Sequence, residues 1–145
     1  MKDMHTGCYA ATLLANATYA ADNTPAAVDR QGYEAVEVLL AIGAGGITFS
    51  GTNKVEFVLT HSDDGTNYTN VTDADMLGVT GISNGIIKTL SAAHAAAASY
   101  RYGYVGNKRY LKLLADFSGT HATGTPLAAI ALLGEPLVEP VANQA

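Results

Sequence analysis

One cysteine, no tryptophan and four prolines stand in a chain of 145 residues. With Cys8 alone, an intrachain disulfide, a CxxC redox pair and a thiolate zinc cage are all excluded. Charge is scarce as well: Asp, Glu, Lys and Arg make up 14% of the residues, against about 25% in an ordinary domain. Because 48% are hydrophobic, the surface has to be built from Thr, Ser, Asn, Gly and Ala. Basic residues are the scarcer kind, 8 Lys and Arg against 13 Asp and Glu, which leaves a net charge of −5. That balance argues against binding nucleic acid by neutralising phosphates and excludes a polybasic membrane anchor. No run approaches the ~18 apolar residues of a membrane span. Residues 1–17 carry Lys2 and end in Ala15-Asn16-Ala17, yet Asp3, His5 and Asn16 leave too short an apolar stretch for a secretory signal. The sequons at Asn16, Asn67 and Asn70 carry little weight in so Asn- and Thr-rich a chain.

What is present reads as one all-β domain. Residues 35–42 place Val36, Val38, Leu40 and Ile42 on one face at period two, and Gly43-Ala44-Gly45-Gly46 ends that strand. Residues 54–61 alternate again, with Val55, Phe57 and Leu59 inward. Ser62-Asp63-Asp64-Gly65 supplies a tight-turn signal, so residues 68–72 are expected to return as the partner strand. Asp73 is a candidate cap for a short helical turn, Asn84-Gly85 is a second turn, and residues 86–90 follow as a short strand. Residues 91–99 are Ala-rich without an apolar stripe and read as a loop. Tyr100, Tyr102 and Tyr104 alternate, Gly106-Asn107 turns the chain, and Leu111, Leu113, Ala115 and Phe117 alternate in turn, which predicts a second hairpin. Residues 127–133 form a last apolar strand. The expected organisation is an extended arm over 1–32, a β-sandwich of about eight short antiparallel strands over 33–134, and an extended tail over 135–145.

Tests for chemistry fail one after another. His5, His61, His94 and His121 lie in four separate contexts with no metal-ligand spacing. The carboxylates Asp63, Asp64, Asp73 and Asp75 do not fit a calcium loop and suit turns and caps. Gly43-Ala44-Gly45-Gly46 lacks the third glycine of a dinucleotide fingerprint and the Lys-Ser/Thr of a P-loop. Cys8 has no evident base, and no nucleophile elbow is present. The sequence therefore offers no enzyme, no cofactor and no metal. Residues 100–112 hold four tyrosines and half of the Lys and Arg. Three readings are open there: tyrosines filling one sheet face, a protein interface, or stacking on nucleic acid, the last opposed by the net charge.

Three stretches together resemble a known family. QGYEAVEVLLAIGAGG at 31–46, KVEFVLTHSDDGTNYTNVTDADMLG at 54–78 and YRYGYVGNKRYLKLLADFSGTHATGTPLAAIALLGEP at 100–136 look like the small jelly-roll head cement, or decoration, proteins of tailed bacteriophages. The likeness runs from residue 29 to residue 136, and its most specific parts specify hairpins. It implies a virion protein on the outer capsid surface that bridges neighbouring major capsid protein subunits and associates with itself as a dimer or trimer, without binding nucleic acid or membrane. A carbohydrate-binding or adhesion jelly roll is the alternative from another class. Contact with partners is expected from Leu13, Leu14 and Tyr19 in the arm, from Leu137, Val138 and Val141 in the tail, and from Tyr100, Arg101, Tyr102 and Arg109 in the hairpin.

Overall fold

A computed structural model describes residues 3–45 and 47–144. Met1, Lys2, Gly46 and Ala145 lie outside the described residues, and with them the outermost positions of the expected arm and tail and the last glycine of the 43–46 turn. Ten strands are described: β1 (Cys8–Tyr19), β2 (Val28–Asp29), β3 (Tyr33–Ile42), β4 (Lys54–Ser62), β5 (Thr69–Asn70), β6 (Met76–Leu77), β7 (Ile86–Leu90), β8 (Ala98–Tyr104), β9 (Tyr110–Ser118) and β10 (Thr125–Pro136). Two 3₁₀ turns, His5–Gly7 and Asp73–Asp75, are the helical elements among the described residues.

All pairings are antiparallel. One sheet runs β1-β10-β3-β8-β6, and the other runs β2-β9-β4, with β5 and β7 sharing the far side of β4. The ten strands exceed the expected eight by the short β5 and β6; without these, the remaining eight divide between the sheets as first, eighth, third and sixth against second, seventh, fourth and fifth. That order is the double Greek key of a jelly roll.

The core is where the period-two pattern puts it. Val36, Val38, Leu40 and Ile42 of β3 face Val55, Phe57 and Leu59 of β4 and Leu111, Leu113 and Ala115 of β9, all buried, while Phe117 is half-buried at the margin. β10 adds Leu127, Ala129, Ala131 and Leu133.

Three local expectations change. The arm is not loose: residues 8–19 form β1, paired with β10 from Cys8↔Gly134 to Tyr19↔Thr125, and Leu13 and Leu14 are 1% and 2% exposed. Bulges between Thr12 and Leu14 and between Leu14 and Ala17 turn both leucines inward. Next, β8 and β9 are not a hairpin. β8 pairs with β3 and β9 with β4, so residues 105–109 cross from one sheet to the other. Arg30 secures that crossing, donating from Nε to the Lys108 carbonyl at 2.7 Å and from Nη2 to the Gly106 carbonyl at 3.2 Å. Finally, the return after Gly65 is only the two-residue β5, and Asp73 is not the cap. Thr72 caps the 3₁₀ turn through a capping box with Asp75, while the Asp73 carboxylate accepts from the Gly81 and Ile82 amides.

The tail is tied down as well. The Val141 amide donates to the Thr6 carbonyl at 2.9 Å, and the Gln144 side chain donates to the Ala10 carbonyl and accepts from its amide at 2.7 and 2.9 Å. Gln144 thus stands where a neighbouring strand would pair with the free edge of β1. The turn-forming residues 22 and 23 do the same for β9: Asn23 exchanges hydrogen bonds with the Leu113 carbonyl and the Ala115 amide, and Asp22 accepts from the Phe117 amide at 2.7 Å.

Candidate interaction surfaces

Alternation on β8 decides the tyrosine row. Tyr100, Tyr102 and Tyr104 sit opposite Leu40, Val38 and Val36 of β3, so their rings point between the sheets. Tyr102 and Tyr104 are 7% and 3% exposed and fill the sheet face, which corrects the expectation that Tyr102 contacts a partner. Tyr100, half-buried at the open side of the sandwich, carries the Lys88 ammonium 4.1 Å above its ring. Leu13 and Leu14 are corrected likewise, since a side chain packed in the core has no surface left for a partner. Tyr19 is half-buried and donates its hydroxyl to the Ala15 carbonyl.

Arg109 is engaged within the chain. Its guanidinium grips Asp29 through two hydrogen bonds of 2.8 and 2.7 Å, and that grip holds the Asp29 carboxyl below its ordinary range. Arg101, by contrast, points outward with its side chain 83% exposed, and its contact with Glu37 is a loose 3.9 Å.

A buried polar pair lies behind the crossing. His61 Nδ1 is 2.8 Å from the Tyr104 hydroxyl, which also accepts from the Lys108 amide at 3.2 Å. Burial holds the His61 imidazole below its usual protonation range and pushes the Tyr104 phenol up. A neutral His61 that accepts from Tyr104 satisfies all three groups, so the pair acts as an internal brace between β4 and β8. The Ser62-Asp63-Asp64-Gly65 stretch is also structural. Asp64 accepts from the amides of Asn67 and Thr66 and from the Ser62 hydroxyl, which holds its carboxyl far below the usual range. No group of three or more His, Cys, Asp or Glu converges on a common point among the described residues.

Two surfaces remain. The first is the end of the sandwich where β10 runs out: Leu137 and Val138 are 68% and 79% exposed, on a turn held by the Leu137 amide bonding to the Gly32 carbonyl and by the Val141 anchor. Val141 itself is half-buried. The second is the outer face of the β1-β10-β3-β8-β6 sheet, where Leu39, Ala41, Ala128 and Ile130 line a shallow apolar groove of about 330 Å³ beside Tyr100 and Arg101. Sequence reasoning named Arg101 on that face and missed its aliphatic residues; the signal was there, since both sets of alternate positions are apolar over residues 38–42 and 127–133. Compared with protein-family models, curated proteins and solved structures, the chain matches none.

Proposed function

We propose that this protein is a structural component of a tailed-phage virion, seated on the outer surface of the capsid and cementing neighbouring major capsid protein subunits. It acts by binding, without catalysis, cofactor or nucleic acid. The observation that carries the reading is the exposed apolar turn of Leu137 and Val138, tied to the domain by the backbone hydrogen bonds of Leu137 and Val141. A pre-ordered apolar projection loses little conformational entropy on docking, which favours attachment to a fixed lattice. The resemblance of residues 29–136 to decoration proteins supplies the identity of that lattice.

The alternative, a glycan-binding jelly roll, needs an aromatic platform. Among the described residues Tyr9 is the one exposed aromatic, at 37%, so binding on a glycan array is not expected. The direct test mixes the purified protein with phage heads that lack it. Full burial of Leu137 and Val138 is worth about 1.5–3 kcal/mol each, so the double substitution Leu137→Asp, Val138→Asp should weaken attachment by tenfold or more, at ~1.4 kcal/mol per decade. Unchanged attachment of the variant would remove the turn as the contact, and failure of the unaltered protein to bind heads would overturn the function.

A further inference from the structure

We infer that the outer face of the β1-β10-β3-β8-β6 sheet is the seat of a second copy of this chain, packed face to face about a twofold axis. The inference deepens the self-association expected of the protein and stands apart from its attachment to capsids, because it uses a different surface.

The face is apolar in cross-strand rows. Thr12, Ile130, Leu39 and Arg101 are register neighbours across β1, β10, β3 and β8, and the next row is Ala10, Leu132, Glu37 and Gly103. Ile130 is 41% exposed, and Leu77 on β6, opposite Gly103, is 59% exposed. Leu39, Ile130 and Leu132 stand among the small Ala10, Thr12 and Gly103 along these rows, a relief into which the side chains of another sheet can pack at the ~10 Å of face-to-face packing. Asp3 and Met4 border this face at its Glu37 and Leu132 end, while Leu39, Ala41, Ala128 and Ile130 line an open groove over the rest.

Area and charge both select a second copy as the occupant. At about 4.8 Å between strands and about 3.3 Å per residue, the four long strands span roughly 600 Å² of plan area, so complete overlap of two copies would bury on the order of 1,200 Å², an upper bound that lies in the range of specific interfaces. The charges on the face are Glu37 and Arg101, neighbours of opposite sign on adjacent strands, and the arginine is barely used within its own chain. A twofold axis lying in the interface, crossing the line between these residues at right angles, exchanges their positions. Each Glu37 then meets Arg101 of the other copy, the self-complementarity an isologous interface demands.

Sedimentation and light scattering of the full-length protein test this. The expected result is a dimer, weakened by at least about tenfold in Ile130→Lys, with an unchanged circular dichroism spectrum because Ile130 lies outside the core. Glu37→Arg and Arg101→Glu should each weaken the dimer, and the two together should restore it, an outcome that mere loss of folding cannot produce. A monomer at all accessible concentrations, a trimer, a dimer indifferent to Ile130→Lys, or single charge reversals without rescue would each overturn the inference. The Leu137→Asp, Val138→Asp protein should remain dimeric, so loss of head binding there and loss of the dimer here are separate failures.

Discussion

Outside the core, the sheet containing β9 and β4 presents Lys54, Glu56 and Thr60 on one strand and Lys112 and Asp116 on its neighbour, whereas the sheet containing β10 and β3 presents Leu39, Ala41, Ala128 and Ile130. On the first face the charges are used locally: Lys54 meets Glu56 at 2.7 Å, and the Lys112 ammonium lies 4.2 Å over the Tyr68 ring. On the second, Arg101 reaches outward and finds little. Both sheets obey the same alternation and share one core, so folding does not require the difference. Lys54, Glu56, Lys112 and Asp116 stand on the first face against Glu37 and Arg101 on the second, whose aliphatic rows leave it suited to a protein neighbour.

The comparison presumes a single core beneath both faces, and Phe57→Ala is the harshest way to break it. Phe57 is fully buried between the sheets, and its truncation should cost about 3–5 kcal/mol in denaturant unfolding. A loss under ~1 kcal/mol would mean that the sheets do not share that core.

Gly85→Ala attacks only the charged sheet. Gly85 has φ +76°, and an added Cβ would lie 2.8 Å from the Leu59 carbonyl, so about 1–3 kcal/mol should be lost while the outer face of the other sheet keeps its association.

Acidification probes the brace that joins the sheets. Because burial holds the folded-state pKa of His61 below its ordinary 6.5, the unfolded chain takes up the proton first as pH falls. This contribution is fully present above that value and declines below it. Thermal melts at decreasing pH should show the decline, and His61→Leu should remove it. Asp64 adds a second loss beneath its ordinary 3.8, since its carboxyl is also depressed in the folded state.

The smallest stability effect sharpens the comparison most. Leu39→Lys and Val58→Lys both place a charge on an outer sheet face, and each should change stability by no more than about 0.5 kcal/mol. Only Leu39→Lys should lower self-association in sedimentation; equal effects would erase the distinction between the faces.

Legibility in the sequence followed the regularity of each element. β3, β4 and β9 alternate without interruption, and their inward residues are those the pattern names. β1 escaped detection because its two bulges place adjacent Leu13 and Leu14 on the same side, which period two forbids. The pairing of β8 and β9 was misread for another reason: alternation reports which face is inward but not which sheet owns the strand, so a Gly-Asn turn between two good strands looks like a hairpin even where the chain changes layers. The tyrosines illustrate the same limit, since burial of Tyr102 and Tyr104 depends on the partner layer and not on their own spacing. The anchors of the tail are single side chains acting over more than a hundred residues, and no local pattern encodes them.

Gln144 has one more effect, felt when many molecules crowd together. An unpaired strand edge is a template on which identical chains can stack without limit, and β1 is a long edge. The carboxamide of Gln144 occupies the Ala10 donor and acceptor, and farther along the Tyr19 hydroxyl occupies the Ala15 carbonyl. Growth of a filament from this edge would have to displace both. Association is thereby steered from open-ended growth along the hydrogen-bonding direction toward contacts through faces and tips, which close after a finite number of copies.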